Sequence, residues 1–220
     1  MSRTKPKIAE AHDSGLIEST REIFLSSSPD TDGEDPGIDY RSSVRFITNL
    51  RILESTSSQP VIIHQYSSGG EWHAGMAIYD AIKASPCKFI FISYGLCASM
   101  GSIIAQAPFN KGVRLCTPNC DWLIHEGSCS FEGTYKQVFS LYEFEKLTLD
   151  RCYQIYTEPC KETGEFFTKK RGTVKNFLKR QLTSKEDWWL TSEQALEYGF
   201  VDGILGSEEY PTIKEIYKNL

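Results

Sequence analysis

Apolar residues recur along this chain in two rhythms, one spaced for helices and one packed into short unbroken runs. Val44, Phe46, Ile47, Leu50 and Leu53 keep three-to-four spacing and predict an amphipathic helix over 40–54. Met76, Ile78, Ala81 and Ile82 do the same over 72–83. Between and after them lie short apolar runs at 22–25, 61–65, 88–93 and 112–116, with a briefer one at 122–125 behind a Pro118-Asn119 turn. A helix over 99–107 separates the third run from the fourth. Apolar strands alternating with helices predict an α/β fold with a mostly parallel sheet.

The second half has a different texture. Residues 133–157 carry Val138, Leu141, Tyr142, Phe144, Leu147, Leu149, Cys152, Ile155 and Tyr156, a stripe too broad for one contact face. That helix is expected to pack against a neighbour as well as its own core. Thr191-Ser-Glu-Gln194 reads as a capping box, residues 195–198 as a short helix, Gly199 as its stop, and 200–205 as a last strand or turn. Three polar stretches punctuate the order: a loose arm over 1–14, a Ser, Asp, Gly and Pro-rich loop over 26–39, and a Lys-rich interruption over 157–174. No internal repeat or second domain boundary is visible.

Composition narrows the function classes. A chain of 220 residues suits one domain with a sizeable core, and a net charge of −5 without a Lys/Arg block argues against nucleic acid or an anionic membrane as partner. Seven scattered cysteines are expected to be reduced thiols in a cytoplasmic or cytosol-like compartment. Cys116 and Cys120 flank a turn, but no second pair completes a zinc site, so no metal is predicted. No apolar run has the length of a membrane span or a signal core. A phosphate-binding Gly-rich loop is also missing, so no cofactor is predicted, and nucleotide energy, if used, comes from another protein.

The candidate chemistry sits at strand ends. Ser99, in Tyr94-Gly-Leu-Cys-Ala-Ser99-Met100-Gly101, stands where a strand gives way to a helix, and Leu123-Ile-His125-Glu126 ends the next apolar run. Gly69-Gly70 forms a second strand-to-helix loop, and two such loops could supply backbone donors for an oxyanion. A nucleophile and base need an orienting acid. Asp187, before Trp188 and Trp189, is expected to be buried and paired. Taken singly, Ser99 reads as an N-cap, His125 as a hydrogen-bonded strand-end histidine, Gly69-Gly70 as a tight turn and Asp187 as a helix-approach cap. Glu186 is a one-residue alternative for the acid. His64 and His73 share no face and read as structural. The order Ser, His, Asp differs from that of α/β-hydrolases, and Cys97 breaks their Gly-x-Ser-x-Gly elbow.

The blocks Ser67-Ser-Gly-Gly70 with Ala74-Gly-Met76, Cys97-Ala-Ser-Met-Gly101, Trp122-Leu-Ile-His125 and Glu193-Gln-Ala-Leu-Glu-Tyr-Gly-Phe-Val-Asp-Gly203 resemble, in order, the proteolytic subunit of the Clp protease. The resemblance runs from Ile17 to Gly206. It implies Ser99 as nucleophile, His125 as general base, Asp187 as orienting acid, and Gly69 and Met100 as oxyanion-hole N–H donors. It implies a Clp protease and crotonase-like α/β fold of repeated ββα units with a protruding helical handle. It also implies two stacked heptameric rings of the chain itself, fed with unfolded polypeptides by an ATP-driven Clp unfoldase. On that basis residues 1–15 are a flexible arm, 16–206 the peptidase domain, about 126–158 the handle, about 160–174 a polar insertion and 207–220 a tail. Ser68 stands where the family tends to have Pro, Glu126-Gly127 where it has Gln-Pro, and Lys185-Glu186 reverses the signs of a pair that couples rings. The expectation is a serine endopeptidase subunit. Alternatives are a noncatalytic or weakly active ring subunit and, more distantly, a crotonase-fold acyl-CoA enzyme.

Overall fold

The computed structural model describes residues 7–25, 37–168 and 172–220. Strand order is set by where the continuous apolar runs can be covered on both faces. Among the described residues, β1 (Leu16–Ile17), β2 (Glu22–Leu25), β3 (Val61–Ser67), β4 (Phe89–Ala98), β5 (Gly112–Cys116) and β8 (Gly203–Ile204) lie side by side in the order β1-β2-β3-β4-β5-β8. Two further strands, β6 (Asp121–Ile124) and β7 (Trp188–Leu190), extend the sheet beyond β4. All pairings from β2 to β8 and from β4 to β6 are parallel, whereas β1–β2 and β6–β7 are antiparallel. The mostly parallel α/β sheet is therefore as expected.

Helices α1 (Lys7–Ser14), α2 (Tyr40–Thr56), α3 (Trp72–Ala84), α4 (Met100–Ile104), α5 (Tyr135–Thr163), α6 (Glu165–Thr168), α7 (Val174–Lys185), α8 (Ser192–Tyr198) and α9 (Ile213–Asn219) complete the fold. Alternate residues of the central strands feed two cores. Val61, Ile63, Phe89 and Phe91 join the main core with Phe46, Leu50, Ile78 and Ile82 of α2 and α3. Ile62, Ile90, Ile92, Val113 and Leu115 form a second cluster capped by Ile216 of α9. No helix among the described residues is long and apolar enough to cross a membrane.

Several expectations change in detail. The strand expected over 88–93 continues to Ala98, because two extra residues on β4 bulge out between the Gln65↔Ser93 and Ser67↔Cys97 pairs. Gly95 takes a positive φ of 59° there, and the resumed strand pairs with β6. Residues 7–14, expected as part of a loose arm, contain α1. The helix expected over 99–107 is only α4, followed by turns. Most of the 26–39 loop lies outside the described residues, but its end, Asp39, caps α2 in a capping box with Ser42.

The polar interruption holds regular structure. α5 runs through buried Pro159 to Thr163, and α6 presents Phe166 and Phe167 to Phe177 and Tyr198, which in turn pack on Trp188. An aromatic box closes that side. α7 falls beyond the elements that the sequence predicts, and it turns Val174, Phe177, Leu178 and Leu182 inward. The stripe of α5 divides along its length. Cys152, Tyr153, Tyr156 and Cys160 are buried, while Tyr135, Phe139, Leu141, Tyr142, Phe144 and Leu147 stand exposed.

Candidate active site

Ser99 is placed by the end of β4 and by the turn into α4. Its N–H donates to the Leu123 carbonyl of β6 at 2.9 Å, which extends the β4–β6 pairing by one step. Its backbone, at φ 52° and ψ −123°, occupies a region that L-residues rarely adopt. Such a conformation survives only where the surroundings over-determine it. Here Ser102 Oγ donates to the Ser99 carbonyl at 2.6 Å and lies 2.7 Å from the buried Tyr156 hydroxyl of α5. Gln65 Nε2 donates to the Gly101 carbonyl from β3. These supports escaped sequence reading, since Ser102 and Tyr156 are 54 residues apart.

The Ser99 side chain makes no capping bond to α4. Its Oγ instead lies 2.7 Å from His125 Nε2, and His125 Nδ1 lies 3.1 Å from Asp187 Oδ1. The ladder explains the second contact. β6 and β7 pair Trp122 with Leu190 and Ile124 with Trp188, so one further antiparallel step sets His125 opposite Asp187. Glu186 caps α7 instead, at φ 57°, and its N–H donates to the Leu182 carbonyl. With Asp187 accepting from Nδ1–H, Nε2 is free to accept the serine proton.

Asp187 is not buried. Its side chain is 57% exposed, against 23% for His125, because Trp188 turns into the aromatic box while Asp187 is left at the sheet edge. A cleft of about 430 Å³ opens beside the pair, bordered by Gly127, Leu182 and Thr183.

Gly69 comes against Ser99 from the other loop. At φ 115°, a Cβ there would lie 2.6 Å from Ser99 Cβ, so only glycine fits. Its N–H donates to Ser67 Oγ at 3.1 Å, and its carbonyl accepts from the Ile38 N–H at 2.7 Å. Ile38, which also bridges to Gly70, straps this loop in place, a non-local contact without a sequence signal. Met100 follows Ser99 as the first residue of α4, its side chain buried against Gly75. His64 and His73 lie elsewhere: His64 meets Glu22 and Tyr94 at 2.9 Å each, and His73 stacks on Phe144. The seven cysteines are free thiols, and burial pushes Cys116 and Cys152 up to about 12, so neither is a thiolate near neutrality.

A family model described as Clp protease matches residues 10–208. The chain belongs to the Clp protease family. The ATP-dependent Clp protease proteolytic subunit 2 of Pseudomonas aeruginosa is 30% identical over 178 residues, covering 80% of this chain and 81% of that protein. Proteolytic subunit 1 of Corynebacterium jeikeium is 32% identical over 158 residues, or 72% and 77% of the two chains. Proteolytic subunit 2 of Corynebacterium glutamicum is 30% identical over 194 residues, or 88% and 85%. The matched span of the Clp protease family thus contains Gly69, Ser99, Met100, His125 and Asp187 together.

Proposed function

We propose that this chain is a serine endopeptidase subunit of a self-compartmentalised Clp-type complex, with Ser99 as nucleophile, His125 as general base and Asp187 as orienting acid. The contact chain Ser99 Oγ, His125 Nε2, His125 Nδ1, Asp187 Oδ1, at 2.7 and 3.1 Å, carries this reading. His125 takes the Ser99 proton as Oγ attacks the scissile carbonyl carbon, and Asp187 stabilises the imidazolium. Negative charge on the former carbonyl oxygen is met by the N–H groups of Gly69 and Met100. In the substrate-free chain Ser67 Oγ accepts from the Gly69 N–H. The imidazolium then protonates the leaving amine, and water, deprotonated by His125, releases the acyl group and restores Ser99.

The assembly part of the proposal rests on α5. Its exposed Tyr135, Phe139, Leu141 and Leu147 give this 29-residue helix an apolar half without cover in the protomer. A second copy in a stacked ring covers such a helical handle, and the chain works as a homo-oligomer in a cytosol-like compartment. An ATP-driven unfoldase supplies unfolded polypeptide, in keeping with the ATP-dependent complexes for which the relatives are named.

Labelling by a fluorophosphonate, mapped by mass spectrometry, tests the chemistry together with hydrolysis of a small fluorogenic peptide. Adduct on Ser99, and loss of both labelling and turnover in Ser99→Ala with an unchanged unfolding midpoint, are expected. Undiminished turnover by Ser99→Ala overturns the assignment. Sedimentation of the same samples should give a large ring oligomer, and a fully active monomer overturns the assembly.

A further inference from the structure

We propose that Tyr153 is a positioning residue for this site, capturing the Glu126 carboxylate so that Asp187 alone serves as acid partner to His125. The inference rests on the peptidase reading above. β6 ends at Ile124, and residues 125–134 continue without helix or strand. Glu126 is therefore a carboxylate one residue past the base, on chain that no ladder fixes. Gly127 beside it has a φ of 87° and open space around it. Left alone, such a side chain is within reach of the imidazole it follows.

Tyr153 removes that freedom. It is a fully buried residue of α5, and its hydroxyl donates to Glu126 Oε1. Its ring lies under Lys179 Nζ of α7 at 5.6 Å, and α7 leads through Glu186 to Asp187. One side chain thus touches both the segment leaving His125 and the helix delivering its acid. Burial first, and then the bond to Glu126, push the Tyr153 phenol up, which keeps it a donor throughout the working range. The titratable and charged groups around the imidazole are Asp187 and Glu186 from the α7–β7 connection, Glu126 from its own segment and Tyr153 from α5. Lys179 and Lys185 of α7 are turned onto the rings of Tyr153 and Trp188.

Freed of the hydroxyl, Glu126 gains access to His125 and favours its protonated form. An imidazolium cannot take the Ser99 proton, so the acid limb of the rate profile must move upward. The experiment measures kcat/KM against pH for the assembled wild type, Tyr153→Phe and Tyr153→Phe/Glu126→Gln. Tyr153→Phe should shift the acid limb up by about one pH unit, with activity recovered in alkaline buffer. The double variant, lacking the stray charge, should return to the wild-type profile. An unmoved profile in Tyr153→Phe, or a double variant as defective as the single one, overturns the proposal and leaves Tyr153 as packing. If Phe is not tolerated at 153, Glu126→Asp retracts the carboxylate from the phenol while keeping its charge, and the same upward shift is required of it. In parallel, the pH dependence of His125 modification by diethyl pyrocarbonate, mapped by mass spectrometry, follows the neutral imidazole without needing turnover. A wild type that labels at His125 but hydrolyses no peptide defeats the peptidase reading, while the modification midpoints still decide the role of Tyr153.

Discussion

Ser99 and Asp187 face the same imidazole from opposite kinds of surroundings. Ser99 lies between the ten-residue β4 and α4, all five of whose residues are buried, with hydrogen bonds from β3, to β6 and from within α4 fixing the turn. Asp187 lies between the cap of α7 and the three-residue β7, at the sheet edge and more than half exposed. Ser99 is held by a core dense enough to keep a rare backbone conformation. Asp187 is held by register: one ladder step past Ile124↔Trp188 decides which residue meets His125. A site can thus be rigid at one end by packing and specific at the other by counting.

That contrast is sharpest at the acid itself. Asp187→Asn keeps the shape but cannot stabilise the imidazolium, and peptide turnover should fall about 10⁴-fold, the scale known for such changes in Ser-His-Asp enzymes. Glu186→Gln should stay within about threefold of wild type, because His125 Nδ1 meets Asp187 and a second, exposed carboxylate contributes little. Kinetics on the two assembled variants check both, and a crippled Glu186→Gln means the ladder count is wrong. Next in size is the anchor of the edge strand. Trp188, 2% exposed and packed on Phe177, Tyr198 and Phe200, fastens β7. Trp188→Ala should cost about 3–5 kcal/mol in urea unfolding. The same variant should lose activity, whereas Ser99→Ala should leave the unfolding midpoint in place.

The smallest effect belongs to His64, away from both limbs. Burial holds it below its ordinary value of 6.5, with the Glu22 contact pulling the other way. The unfolded chain therefore takes up this proton first. His64's contribution is whole above about pH 6.5 and is lost as the pH falls through that value toward the lower folded-state one. Stability of wild type relative to His64→Asn should shrink on acidification across that window, and a difference independent of pH between neutral and pH 5 counts against it.

What could be read from the sequence follows the same divide. His125 ends an expected apolar run, Ser99 stands at an expected strand-to-helix change, and β2 and β5 fall on the expected residues. Thr191 caps α8 through Gln194 as its motif predicts, and Gly199 ends the helix in the left-handed conformation. The acid limb was legible only as a position. Two tryptophans beside Asp187 argued for burial, yet they alternate across the strand, so Trp188 is interior and Trp189 is 55% exposed. The apolar positions of α7, Val174, Phe177, Leu178 and Leu182, are diluted by Lys, Arg and Gln, and the aromatic box joins Phe166 and Phe167 to partners that only the fold brings near. The strap from Ile38 to Gly69 and Gly70 is likewise a long-range pairing. Local period finds strands and caps, but not contacts that depend on the assembled sheet.

The positive φ at residue 99 is a strain that one substitution would release. Glycine adopts that conformation without strain, and a serine there carries about 1–3 kcal/mol of it. On the proposed function, a single Ser99→Gly change therefore relieves that strain and removes the nucleophile, with the exposed apolar face of α5 intact. Marginal stability rewards such a change whenever a second, active subunit can take over the chemistry. If the proposed function holds, a silent subunit is one substitution away from this protein.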